Sequence, residues 1–170
     1  KAKNKNITVI KELLENSLPQ IKDKKFNFIL VSSLLHEIPD QSIFFKALYD
    51  IASEDTIIHF NVPNASSFHR LLAVEMGLIK SEFQKSDSNI QFQQHTNFNI
   101  DLLKQTVENN GFTVIESGSY SFKPFTHQQM QDMINAGLIT EQMLNGFYKM
   151  ERFLPNLGSE IFVNIKKTKK

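Results

Sequence analysis

Cysteine is absent from this 170-residue chain. That excludes disulfides, thiolate metal ligands and thiol nucleophiles, and a reducing, cytoplasmic setting is the expectation. Tryptophan is absent too, and the six glycines are dispersed; nowhere do they form the Gly-rich loop that wraps backbone amides around a phosphate. No apolar run approaches the roughly 18–20 residues of a membrane span, and no signal-peptide pattern is visible, so no membrane partner is expected. Neither sign of charge dominates. Nineteen Lys and Arg face eighteen Asp and Glu, a formal net charge of +1. The lysines gather at the two ends, at Lys1, Lys3 and Lys5 and again at Lys166, Lys167, Lys169 and Lys170. A basic tail is not a basic stripe on a folded face, so nucleic acid is not an expected partner.

Apolar residues are plentiful, at 41% of the chain with 15 phenylalanines. That is enough for one globular domain, residues 1–170, with a substantial core. The pattern predicts a short strand at Ile7–Ile10. Lys11–Lys25 is polar and interrupted by Pro19, so it predicts a turn and at most a short helix. Phe26–Val31 is apolar on both faces, as in a central parallel strand. Asp40 is placed to cap a helix over about 41–52, in which Ile43, Phe44, Ala47, Leu48 and Ile51 recur at helical spacing. Thr56–Val62 predicts the next strand, and Ser66 or Ser67 the cap of a helix ended by Gly77. Residues 80–97 are Gln- and Ser-rich without a clean period, the composition of a lid over a site. Asn99 caps a helix to Asn109, stopped by Gly111, before a strand at Phe112–Tyr120. Thr126 to Gln129 has capping-box spacing, Thr140 opens another helix, and Glu160–Lys166 is the last strand.

With these elements placed, most of the chain resembles the C-terminal two-thirds of a class I S-adenosylmethionine-dependent methyltransferase. Phe26-Asn27-Phe28-Ile29 is similar to that family's F-D-x-I strand. Leu34 to Asp40 is similar to its V-L-E-H-V-x-D segment, with histidine and acid exchanged. Asn61 to Asn64, followed by Ser67 to Arg70, resembles its P-N-x-x-S-x-H-R run. Asn99 to Val114 resembles its helix leading through Gly-Phe into a strand. The resemblance implies an α/β, Rossmann-like fold, truncated at its N-terminal side, with the final strand antiparallel and inserted between the two before it. It also implies helices on both sheet faces. The glycine-rich motif and the acidic residue that holds the ribose would lie upstream of residue 1.

The same resemblance implies S-adenosyl-L-methionine as cofactor and a small-molecule acceptor. Leu14 and Glu15, with Asn16 beside them, would flank the adenine, and Ser32, Ser33 and Leu34 would lie under the cofactor. His36 and Glu37 follow a strand end, where ligands of open α/β sheets bind; one of them is the candidate general base. His69, Arg70 and His95 are candidate substrate contacts, Arg70 because a guanidinium suits carboxylate or phosphate. No two histidines stand four residues apart, so no dedicated metal site is expected. The functional expectation is O-methylation of a small metabolite or sugar. The alternative is a non-catalytic α/β module that self-associates through exposed strand edges, and a homodimer is expected on that ground.

Overall fold

The computed structural model describes residues 7–169. Its centre is a four-stranded sheet in the order β1-β2-β4-β3. The strands are β1 Phe28–Ser32, β2 Ile57–Pro63, β3 Phe112–Tyr120 and β4 Glu160–Lys167. β1 and β2 run parallel. β4 is antiparallel to both of its neighbours, β2 and β3. The last strand is therefore inserted between the two before it, as the resemblance implied.

Alternation along the strands decides which face is packed. Val31, Ile58, Phe60, Val62, Ile161, Val163 and Ile165 point to one face and are buried. Two helices cover that face: α2, Gln41–Ile51, and α5, Ile100–Asn109. Both begin as the sequence predicts. Asp40 accepts from the amide of Ser42, and Asn99 from that of Leu102. Phe45 sits at the middle of the core, its ring 5.7 Å from that of Phe60 and 6.1 Å from that of Phe112. Gly111 ends the turn after α5 at φ +86°, a left-handed conformation that favours glycine.

Three expectations need correction. Ile7–Ile10 forms no strand: the run is irregular, with Ile7 and Val9 more than half exposed. A strand exists only through its pairing, and no described strand lies beside this run. The polar segment before β1 holds a full two-turn helix, α1, Leu14–Ile21, with Pro19 inside it. Leu14, Leu18 and Ile21 pack against the core and outweigh the one backbone bond that proline removes. Among the described residues, the expected helix over the second sheet face is also missing beside β1. β1 is an edge strand, and on its far side Phe28 and Leu30 are 54% and 62% exposed.

The remaining helices frame one end of the sheet. They are α3 Phe68–Glu75, α4 Asp87–Gln91, α6 His127–Asn135 and α7 Glu141–Met150. α6 carries the capping box expected at Thr126 and Gln129. Phe122 joins this group, its ring 5.2 Å from Phe68 and 6.5 Å from Phe147. No helix among the described residues is long and apolar enough to cross a membrane.

Candidate functional site

The carboxyl ends of β1, β2 and β3 lie at one end of the sheet. Because β4 runs the other way, its first residue, Glu160, lies there too. β1 ends in a bent turn. Ser33 takes φ +48°, a left-handed conformation uncommon for a residue with a side chain. Its amide donates to the Asn61 carbonyl at 3.0 Å, and the Asn61 side-chain amide donates to Ser33 Oγ at 3.3 Å. The turn thus clamps the ends of β1 and β2 together and turns Ser32, Ser33 and Leu34 outward, all three exposed.

Two grooves meet at this turn. One, of about 460 Å³, runs between α1 and the start of α2, with Leu13, Leu14, Leu34 and Ile38 as its apolar wall and Glu12, Glu15, Glu37 and Asp40 at its rim. The other, of about 410 Å³, lies along β1 from Ile29 to Leu34. They share Leu14, Leu34 and Phe44, so together they form a continuous trough beside the sheet edge.

His36 and Glu37 occupy one turn of 3-10 helix, Leu35–Glu37, and diverge from it. Glu37 lines the larger groove and is about half exposed. His36 is buried and lines a different, polar cavity of about 40 Å³ with Asn64, Arg70, Thr96 and Asn97. Its Nε2 stands 3.8 Å from Glu37 Oε1, and its Nδ1 has no partner. Burial pulls the imidazole below its ordinary pKa, and the Glu37 charge offsets that only in part. His36 is accordingly a neutral base at pH 7.

The segment 80–97 contacts this end of the molecule at two places. The amides of His95 and Thr96 both donate to the His36 carbonyl, at 2.8 and 3.2 Å. Arg70 holds the strap from the other side: its Nε and Nη2 donate to the Glu82 carbonyl, and Nη2 also donates to that of Gln84. The guanidinium expected to bind a substrate anion is thus engaged with backbone. His95 touches His36 through its amide, while the residue is exposed. His69 faces away from both, into an apolar pocket of about 170 Å³ with Leu72, Met76 and Phe125. Burial lowers its pKa to about 4, helped by the charges of Lys123 and Arg70.

Sequence reasoning missed a group on the sheet face opposite α2 and α5, where Asn61 is buried and Tyr120 and Glu160 are half-buried. Asn61, Tyr120 and Glu160 all point to the side away from α2 and α5, on three neighbouring strands. The signal was available: an antiparallel last strand brings its first residue to the ligand end. Asn64 was also missed as an organiser. Its amide donates to the carbonyls of Asn156 and Gly158, and its Oδ1 accepts from Ser66 N, tying the end of β2 to the turn before β4. Among the described residues, no cluster of three or more His, Asp or Glu could hold a metal.

A family model described as a methyltransferase domain matches residues 2–117. The chain belongs to the methyltransferase-domain family. The solved structures agree on the fold. A SAM-dependent methyltransferase from Archaeoglobus fulgidus is 15% identical with a TM-score of 0.55, covering 95% of this chain and 68% of its own. A SAM-dependent methyltransferase from Thermotoga maritima, described as a possible histamine N-methyltransferase, is 18% identical with a TM-score of 0.57, covering 95% of this chain. The chain spans 65% of that second protein's length. No curated protein matches the sequence.

S-adenosyl-L-methionine is the cofactor of this class, and the trough suits part of it. The leucine and isoleucine wall accepts a flat ring by apolar contact. The carboxylates at its rim can accept from an amino group or from hydroxyls. Leu14, Glu15 and Leu34 line the trough, and Ser32 and Ser33 line its β1 arm.

Proposed function

We propose that this methyltransferase domain transfers a methyl group from S-adenosyl-L-methionine to a hydroxyl of a small metabolite or sugar. The observation that carries the reading is the continuous trough from α1 to the end of β1, with Glu37 on its wall. When bound, the cofactor supplies an electrophilic methyl group. Leu14, Leu34 and Ile38 would hold its ring, and the outward turn at Ser32 and Ser33 would leave room for its polar part. Glu37, exposed to the trough, would accept the proton that the hydroxyl loses. His36, neutral and packed behind Glu37, would keep that carboxylate oriented. The strap over 80–97, latched to His36 and Arg70, would keep water away. Holding two reactants in line is itself worth about 7–11 kcal/mol in well-oriented systems.

The test is calorimetry of the intact protein with S-adenosylhomocysteine, followed by methyl transfer from radiolabelled donor to a panel of alcohols and sugars. Glu37→Ala should lower kcat about 10²–10⁴-fold with little change in donor affinity. Absence of donor binding, or normal turnover in both Glu37→Ala and His36→Ala, would refute the reading. The exposed Phe28 and Leu30 on edge strand β1 favour a second role, self-association through that edge into a homodimer.

A further inference from the structure

Five of the six glycines have a visible reason to be glycine. Gly77, Gly111 and Gly137 take positive φ, at +72°, +86° and +70°, where a residue with a side chain is strained. Gly118 and Gly158 have no room for a Cβ, which would meet the Phe162 ring at the first and the Tyr120 backbone at the second. Gly146 has neither reason. It lies inside α7 without a positive φ, and a Cβ built on it would touch nothing within 4 Å. A glycine in a helix interior weakens the helix relative to alanine, so α7 is loosened at this point with no packing gained in return.

The residue before it is Asn145. Asn-Gly occurs twice in the chain, at 110–111 and at 145–146, and the fold treats the two pairs differently. Asn110 Nδ2 donates to the Thr106 carbonyl at 2.8 Å, and Gly111 N donates to that of Glu108 at 3.1 Å. The Gly111 carbonyl accepts from Thr168 N at 3.0 Å, and the Tyr49 ring lies 3.2 Å from where a Cβ on Gly111 would stand. Freeing that pair means opening the joint between α5 and β3. Asn145 and Gly146 are both exposed, and α7 buries none of its residues. A helix with so few buried contacts opens locally at small cost.

We propose that Asn145 is a site of spontaneous deamidation, with water as the only co-reactant, and that the fold spares Asn110. In the opened helix Gly146 N loses its proton and bonds to Asn145 Cγ, and the side-chain nitrogen leaves as ammonia. The product is a five-membered succinimide. Water then adds to one of its two carbonyls and breaks that C–N bond, giving aspartate or isoaspartate. Glycine suits the step because no side chain hinders the attacking amide. The two products act in opposite directions. Aspartate keeps the main chain and stands four residues before Lys149, a favourable spacing. Isoaspartate adds a carbon to the main chain, so the helical register is lost after residue 145. The residues beyond it tie α7 to Phe122: the Phe147 ring is 6.5 Å from that of Phe122, and Glu151 Oε1 accepts from Phe122 N at 3.2 Å. Isoaspartate therefore detaches α7 from the end of β3.

The intact protein is aged in warm, mildly alkaline buffer and digested, and fragmentation mass spectrometry reads amide, aspartate and isoaspartate at both positions. Asn145 should convert at least about 10-fold faster than Asn110 in the folded chain, and the two should convert at similar rates in guanidinium chloride. Gly146→Ala should slow conversion at 145 at least about 10-fold. Protein carrying isoaspartate should show faster amide exchange over residues 147–154 with α5 unchanged, and Asn145→Asp should not. Equal rates at the two sites in the folded chain, an intact Asn145 where the denatured control converts, or a rate at 145 indifferent to Gly146→Ala overturns the proposal. Unchanged exchange in the isoaspartate form overturns the detachment of α7.

Discussion

Replacing His69 with glutamine should flatten the acid side of the stability curve. In the folded chain His69 titrates at about 4, against an ordinary value of 6.5. The unfolded chain therefore binds a proton that the folded chain refuses, and stability falls as pH drops from about 6.5 towards 4. Above pH 6.5 the residue contributes no slope. At 1.36 kcal/mol per pKa unit, the full difference is about 3.4 kcal/mol. His69 is only part-buried, and the share due to Lys123 and Arg70 is screened by salt, so about 1–2 kcal/mol is the working figure. His36 adds a loss of the same sign, since burial lowers it too. Glu160 acts oppositely: its raised pKa means that the folded chain takes up a proton first, which favours folding as pH falls towards 4.5. Only the difference between wild type and His69→Gln isolates the imidazole. Urea unfolding at pH 7.5, 6.0 and 5.0 in low salt measures it. The wild type should lose about 1 kcal/mol or more relative to the variant across this range. Parallel curves would show that His69 is not desolvated and that its pocket is open to water.

Phe45→Ala should cost about 3–5 kcal/mol in urea unfolding, since Phe45 is 1% exposed among Phe44, Phe60 and Phe112; a loss under 1 kcal/mol would contradict the packing. Asn99→Ala should cost about 0.5–2 kcal/mol by removing the α5 cap, and Asn99→Ser should restore much of it. Arg70→Met should release the strap, seen as faster amide exchange at Glu82–Thr96 with α5 still protected; equal protection in both proteins would remove Arg70 from that role. Light scattering should show a dimer that Leu30→Lys on β1 dissociates, and a monomer at every concentration would refute pairing through that edge.

The sheet was legible because each strand carries its own local signal. Phe26–Val31 and Thr56–Val62 are apolar runs closed by small polar residues, and Asp40, Asn99 and Thr126 are caps whose bonds form within three residues. What failed depended on partners distant in the chain. Ile7–Ile10 has the residues of a strand, but pairing is decided by what lies alongside. α1 hides behind Pro19 because propensity speaks for one residue, whereas Leu14, Leu18 and Ile21 answer to the core. In the site, the turn at Ser32–Leu34 and the placement of His36 and Glu37 after a strand end could be read in order along the chain. The task of Arg70 could not, because its partners are backbone carbonyls 12 and 14 residues away. Glu160 stayed hidden because its neighbours Asn61 and Tyr120 are about 100 and 40 residues upstream.

The insertion of β4 between β2 and β3 also sets an order of events during synthesis. A ribosome makes β1, β2 and β3 first, yet β3 has no neighbour in the sheet except β4. Until residues 160–167 emerge, β1 and β2 can pair, but β3 must wait with α5 as its only support. At about 5–20 residues per second, the 39 residues between the end of β3 and the start of β4 leave that strand unpaired for seconds. The last strand is thus a keystone, and a ribosome stalled between Ser121 and Ser159 would present a nascent chain with two exposed strand edges for chaperones to cover.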